Sequence, residues 1–421
     1  WTIGAISKAY YKFSKSFEGV IGVDWRTAEI EHYREVRDLL GGDYFYREDS
    51  DFWTTEEQKR RGLGDKFDYF FTNTVDWLGA FAQGEYTQGS ISAYGMAGYS
   101  RIKYSHTNHF RKADDGNELF VESDWISGFQ VKGGLAYRVN PDVQLYTNLG
   151  YVSKVPIFDN VISDRAGEKA TDPKNEKFTS LEAGANLSAL EGQMNIKASV
   201  YHTFWKDRAR SIGVTNPDGS EGLVFITGMN ALHQGVELEL AYQPNRLIRF
   251  DGAASFGNWR YTDDVVGVYK NYVGGQLQTD TASYYVKDLK VGDAPQTQIA
   301  LMGTVYPVKG LQAQLVFRHY ANHYANWDPF SRTDPEDRKQ SWKVPNYSVV
   351  DAHVLYNLPM KFGPVQPQFF LHVFNLFDEL YIQDATDNSR FNAWDHDHDA
   401  DDAEVFVGLP RYVNAGLQLN F

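Results

Sequence analysis

Along much of the chain, apolar and polar residues alternate one for one. At the C-terminal end Val413, Ala415, Leu417, Leu419 and Phe421 fall on one side, and Asn414, Gly416, Gln418 and Asn420 on the other. Val236, Leu238, Leu240 and Tyr242 alternate with Gly235, Glu237, Glu239 and Ala241, and Leu181, Ala183, Ala185 and Leu187 with Ser180, Glu182, Gly184 and Asn186. Met194, Ile196, Ala198 and Val200 do the same against Gln193, Asn195, Lys197 and Ser199. A repeat of two residues is the period of a β-strand. Glu237, Glu239 and Lys197 at strand centres would be costly in a dry core, but they suit a wall with water on one side.

The pattern predicts about fifteen strands, near residues 2–12, 16–28, 76–87, 90–105, 127–139, 142–154, 178–189, 192–207, 231–243, 246–261, 294–307, 310–323, 346–358, 364–377 and 405–421. About ten residues at a rise of roughly 3.3 Å, tilted about 45°, span roughly 23 Å, the height of the apolar band of an outer-membrane barrel. The connections alternate between short and long. Short ones lie around Phe13 to Lys15, Gln88 to Gly89, Asn140 to Pro141, Glu191, Pro244 to Asn245, Val308 to Lys309 and Pro359 to Gly363. Long ones lie around residues 36–66, 107–125, 155–177, 211–229, 263–291, 324–345 and 380–404. Short periplasmic turns with long extracellular loops mark bacterial outer-membrane barrels. The expected fold is therefore all-β, a transmembrane antiparallel up-and-down barrel. An odd strand count cannot close antiparallel, and large outer-membrane transporters have about 22 strands around a plugged lumen. On that scale roughly seven strands and the plug are expected to precede Trp1, so residues 1–421 read as the C-terminal portion of the barrel.

Composition narrows the class further. The chain has 421 residues, no cysteine, 42% hydrophobic and 15% aromatic residues, and a formal net charge of -14. With a mean hydropathy of -0.48, no stretch approaches the roughly 18 consecutive apolar residues of a transmembrane helix. A barrel needs none, because only every second residue meets lipid. The acidic balance argues against nucleic acid as a partner, since phosphate binding relies on clustered Lys and Arg. Zero cysteine fits an oxidising envelope compartment. No secretory signal is visible at Trp1, as expected of a chain that is mature or lacks its beginning. No H-E-x-x-H, G-x-S-x-G or P-loop pattern is present, and no enzyme activity is expected.

Two stretches near the C-terminus resemble TonB-dependent receptors. Asn375-Leu376-Phe377-Asp378-Glu379-Leu380-Tyr381 is similar to the family's N-L-F-D-x-x-Y ending of the penultimate strand. Gly408-Leu409-Pro410-Arg411, leading to Phe421, is similar to its G-x-P-R entry into the last strand and its closing aromatic. Asp172 to Glu176 followed by Leu181-Glu182-Ala183-Gly184 is a weaker match, lacking a proline and a leucine of the family pattern. The resemblance implies a receptor in the outer membrane of a Gram-negative bacterium, embedded in lipid. It implies uptake of a bulky nutrient, such as a ferric chelate, cobalamin or an oligosaccharide, powered by the TonB complex through a plug absent from these residues. A surface lipoprotein is a further candidate partner. The competing readings are a passive porin and a barrel that only anchors binding loops.

Candidate chemistry gathers in the long loops. Residues 395–404 read D-H-D-H-D-A-D-D-A-E, and Asp395, His396, Asp397, His398 and Asp399 are candidate ligands for a divalent cation. An EF-hand is excluded, because Ala400 and Phe406 stand where Gly and Glu are needed; a solvated acidic loop is the alternative. No other cofactor is expected. Trp327, Trp342, Phe391 and Trp394 lie inside long loops and are candidates for stacking on a ligand. Trp205, Trp259, Tyr261, Tyr320 and Tyr324, nearer the strand ends, also fit the aromatic girdle of such barrels. Glu182, Glu237, Glu239, Lys197 and Arg318 are expected to face the lumen, lining a path or pairing across the wall. His319, His323, His353 and His372 are dispersed over three predicted strands, which gives no support for a metal or haem site. Trp with Asp and Asn in the loops leans slightly toward a glycan.

Overall fold

Period-two patterning becomes one continuous antiparallel sheet in the computed structural model. The structure describes residues 1–48, 53, 55–113, 115–164, 167–170, 172–215, 221–273, 276–360, 362–389 and 397–420. Fifteen long strands, each paired with the next in chain order, make the wall among the described residues. They are β1 Thr2–Lys12, β2 Phe17–Glu35, β3 Lys66–Gln88, β4 Ile91–Lys112, β5 Ile126–Asn140, β6 Val143–Lys154, β7 Glu176–Ala189 and β8 Met194–Thr215. The series continues with β9 Glu221–Tyr242, β10 Ile248–Tyr261, β11 Thr297–Val305, β12 Leu311–Ala321, β13 Tyr347–Asn357, β14 Gln366–Phe374 and β15 Tyr412–Asn420. Among the described residues β1 pairs only with β2 and β15 only with β14, so the sheet has two edges.

Register sorts the two faces. Leu149 stands opposite Leu181, Val200 opposite Val236, and Phe369 opposite Leu417. All six are exposed, in a belt that also carries Leu238, Leu301, Leu315 and Val413. A belt of exposed Leu, Val and Phe shared by neighbouring strands would aggregate in water and is stable only against lipid. The opposite face is polar: Asn148 lies across from Glu182, Lys197 from Glu239, and Gln314 from His353. On that face tyrosine side chains reach over glycines of the neighbouring strand. A Cβ at Gly184 would collide with the Tyr146 ring, and one at Gly235 with Tyr201.

The short turns use local hydrogen bonding. Ser14 Oγ accepts from the Ser16 and Phe17 amides at 3.1 Å, and Asn245 Oδ1 accepts from Leu247 and Ile248 at 2.8 and 3.1 Å. Such side-chain caps satisfy amides that no strand reaches.

Two boundary predictions fail for physical reasons. Strands β2, β3, β4, β8 and β9 run far beyond the predicted spans; β3 has 23 residues. That is about 75 Å of strand, or about 50 Å of height at 45° tilt, twice the apolar band of about 25 Å. Above the membrane both faces of a strand can meet water or packed loop, so alternation disappears although pairing continues. At the other end, residues 404–407 do not belong to the last strand. Glu404–Val407 pairs instead with Ile382–Asp387 in a small extracellular sheet, and Gly408-Leu409-Pro410 separates it from β15. Proline suits a strand start but cannot donate within a ladder.

Candidate functional site

Above the membrane the overhanging strands and loops pack into a canopy. Val265–Val273 and Gln276–Tyr284 form a hairpin laid on the upper part of β9. Under it Ile226, Met229, Tyr261, Tyr284, Val286 and Trp327 make a dry core. Trp327 is 1% exposed, with its ring against Tyr261 and Tyr284. In this state it braces the loops and presents no stacking surface. Trp342 is half-buried, packed against Ala325, Val344 and Ala385. Phe391 and Trp394 lie outside the described residues.

The most concentrated chemistry ties two loops together. Arg332, from the β12–β13 loop, is fully buried. Its Nη2 donates to Asp387 Oδ2 at 3.0 Å, and its Nη1 donates to Asp337 Oδ1 at 3.3 Å and to the Lys339 carbonyl at 2.9 Å. Asp387 belongs to the β14–β15 loop, is also fully buried, and accepts from the Trp342 amide at 3.0 Å. His398 completes the cluster, with Nδ1 2.6 Å from Asp387 Oδ2 and Nε2 2.8 Å from Asp337 Oδ2. Arg332 Nη2 also lies 3.0 Å from His398 Nδ1, the geometry of two donors converging on one carboxylate oxygen. Burial works against a proton on His398, but the hydrogen bonds to Asp387 and Asp337 outweigh it and hold the imidazole above its ordinary range. Protonated, it balances two aspartates against two cations, the condition under which buried charges are tolerated.

The expected cation site is thereby divided. Asp395 and His396 lie outside the described residues, and His398 turns inward to the clasp. Asp397 and Asp399 stay exposed and are joined by Asp401, with carboxylate oxygens within 4.8 Å of one another. Exposed carboxylates gather in this way without an ion, so the trio alone assigns no metal.

Lumen-facing charges mostly pair within the wall. Lys197 Nζ lies 3.2 Å from Glu239, and Arg318 2.5 Å from Asp351. Glu182 accepts from the Tyr146 hydroxyl at 2.9 Å and from Asn148 at 3.2 Å.

The loop of residues 36–66 and the strand ends beside it carry a feature that single-residue scanning of the sequence passes over. Arg60 lies over the Tyr44 ring at 4.8 Å and Arg61 over Trp53 at 4.4 Å, while Arg34 lies over Tyr69 at 5.6 Å. A run of Arg beside Tyr and Trp is the only available signal, and distance in sequence hides the pairs.

The two C-terminal motifs interlock. Asn375, at φ 50, donates through Nδ2 to the carbonyls of Glu379 at 2.9 Å and Leu409 at 3.1 Å, and its Oδ1 accepts from the Glu379 amide at 2.8 Å. Asp378, at φ 58, accepts from the Arg411 amide at 2.7 Å. Asn and Asp tolerate the left-handed region best after glycine. Tyr381 stacks on Tyr347 at 4.5 Å and covers Gly408, where any Cβ would collide with the ring. Leu376 anchors the segment through its amide, which donates to the Val350 carbonyl at 2.7 Å. Phe377 is exposed, Pro410 opens β15, and Phe421 lies outside the described residues.

Comparison with known proteins agrees with this architecture. The family model for the TonB-dependent receptor-like β-barrel matches residues 4–376, and the chain belongs to that family. No curated protein matches it in sequence. Among solved structures, the ferric-catecholate import receptor Fiu of E. coli K12 superimposes with a TM-score of 0.63 at 13% identity, over 100% of this chain and 54% of its own. The ferric yersiniabactin uptake receptor FyuA of Yersinia pestis gives 0.58 at 14% identity, over 100% and 56%. The copper transporter OprC gives 0.63 at 16%, over 99% and 57%. At these identities the likeness concerns the fold. The chain spans a little over half the length of the structures it matches.

Proposed function

We propose that this chain forms much of the wall and canopy of an outer-membrane receptor that takes up a bulky metal chelate, a ferric chelate first, by TonB-dependent transport. The observation that carries the reading is the family barrel itself, with a charged lumen face beneath a built canopy. Further strands at the free edges of β1 and β15 would close the lumen, and a plug would fill it. The barrel wall guides and releases cargo and does no bond chemistry. Three solved relatives bear the names of a ferric-catecholate, a ferric yersiniabactin and a copper transporter, which favours a chelate over the glycan suggested by the loop tryptophans. Arg60 with Tyr44 offers cationic and aromatic surface suited to an anionic, aromatic chelate.

The test is uptake of radiolabelled iron, presented with catecholate, hydroxamate and citrate carriers, by cells expressing the full-length gene in a strain lacking it. Accumulation that a protonophore or loss of TonB abolishes supports the proposal. Accumulation indifferent to both would mean a passive pore, and surface binding without accumulation an anchored binding module.

A further inference from the structure

We propose that His353 and His372 form a binding site for a divalent transition-metal ion, Cu2+ foremost, on the lumen wall. The site stands on barrel geometry alone and is independent of the cargo proposed above. His353 on β13 lies directly opposite His372 on β14. Register places both on the polar face, His353 across from Gln314 and His372 across from Asn414. Their Nδ1 atoms are 3.0 Å apart, with ring centroids at 5.0 Å and ring planes at 64°.

That separation selects a coordination geometry. Imidazole nitrogen binds such ions at about 2.0–2.1 Å, so two nitrogens at right angles around one ion stand about 2.9 Å apart, against about 3.4 Å in a tetrahedral site. The observed spacing matches the right-angled arrangement, which suits Cu2+ or Ni2+, and Cu2+ binds nitrogen ligands most strongly in the first-row series. Without metal, one ring donates its single Nδ1 proton to the other; when the ion binds, that ring carries its proton on Nε2, through exchange with lumen water, and both Nδ1 lone pairs face the ion. Phe374 and Phe370 hold the two rings from either side, each 5.5 Å from its neighbour by centroid. Asp351, two residues from His353, is committed to Arg318 and to the Asn375 amide. With that carboxylate engaged elsewhere the pair offers nitrogen only, which disfavours Ca2+ and Mg2+. Water from the lumen completes the coordination.

The test is Cu2+ titration of the full-length protein in detergent, followed by electron paramagnetic resonance. Wild type should show a bound Cu2+ whose spectrum carries two equatorial nitrogens. H353Q and H372Q should each lose that ion, while H319Q keeps it, because His319 lies on the opposite face beside Ser348. Retention of the same ion and spectrum by both variants would overturn the proposal. Should either variant fail to fold, wild type decides alone: Cu2+ should shield His353 and His372, and not His319, from diethyl pyrocarbonate as read by mass spectrometry. Equal labelling with and without Cu2+ would count against the site.

Discussion

The Lys197–Glu239 pair of the membrane-spanning sheet and the clasp of the canopy above it treat charge in opposite ways. In the sheet, Lys197 and Glu239 meet at 3.2 Å with 42% and 59% of their side chains still exposed, so water screens the pair and little rests on it. In the canopy, Arg332 and Asp387 meet at 3.0 Å with both side chains fully buried, so neither tolerates loss of the other. The sheet draws its stability from an apolar belt against lipid and a hydrogen-bonded ladder. The canopy has no lipid to face and is held by a small core and a sealed ionic clasp.

The largest effect should come from breaking the clasp. Arg332→Met leaves Asp387 buried beside only one titratable partner, at a local cost of about 3–5 kcal/mol. Amide exchange over residues 326–344 and 382–389 should accelerate about a hundredfold or more by that cost, while the strands stay protected. Exchange unchanged in those segments would show that the clasp is incidental. In the sheet, Leu238→Arg puts a cation in the lipid belt and should reduce insertion stability by about 2–4 kcal/mol in vesicle refolding, with the canopy unaffected once folded. Asn375→Ala removes the root of the last loop and should cost about 1–3 kcal/mol, seen as fraying of β14 and β15 by exchange.

Titration of His398 should give a milder effect. Its proton is held more tightly in the folded canopy than at the ordinary value of 6.5. The stabilisation is therefore fully present below that value and is lost as pH rises through the raised one. Protection of the clasped loops, taken relative to intrinsic exchange at each pH, should fall across that window in wild type and not in His398→Gln. Smallest of all, Glu239→Gln should move sheet stability by no more than about 0.5 kcal/mol. A larger loss would mean that the lumen pairs matter more than their exposure suggests.

What the sequence reveals follows the same division. Each strand crossing lipid must be apolar on one face and is free to be polar on the other, so one-for-one alternation is visible along stretches such as Val236 to Tyr242. The overhanging part of β3 has no such asymmetry, and its pattern gives no sign that the strand continues to Lys66. Pairing between strands is invisible in either strand alone: nothing in Tyr347–Asn357 or Gln366–Phe374 states that His353 will face His372. Arg332 and Asp387 are 55 residues apart and look like ordinary loop charges until the loops close. Asn375, Asp378, Gly408 and Arg411 stand out as motif residues, yet their linkage to one another emerges only from the folded root.

That root has a consequence for how such a protein can change. Because Tyr381 and Gly408 are joined by the bond from the Gly408 amide to the Tyr381 carbonyl, at 2.9 Å, the residues between them leave and re-enter the wall at one fixed doorway. Lengthening or replacing that insert alters closure entropy only slowly and leaves the strands on either side in place. The last loop is thus a cassette for the barrel beneath, which keeps its register through an exchange, while the canopy demands that any new insert again supply a carboxylate for Arg332.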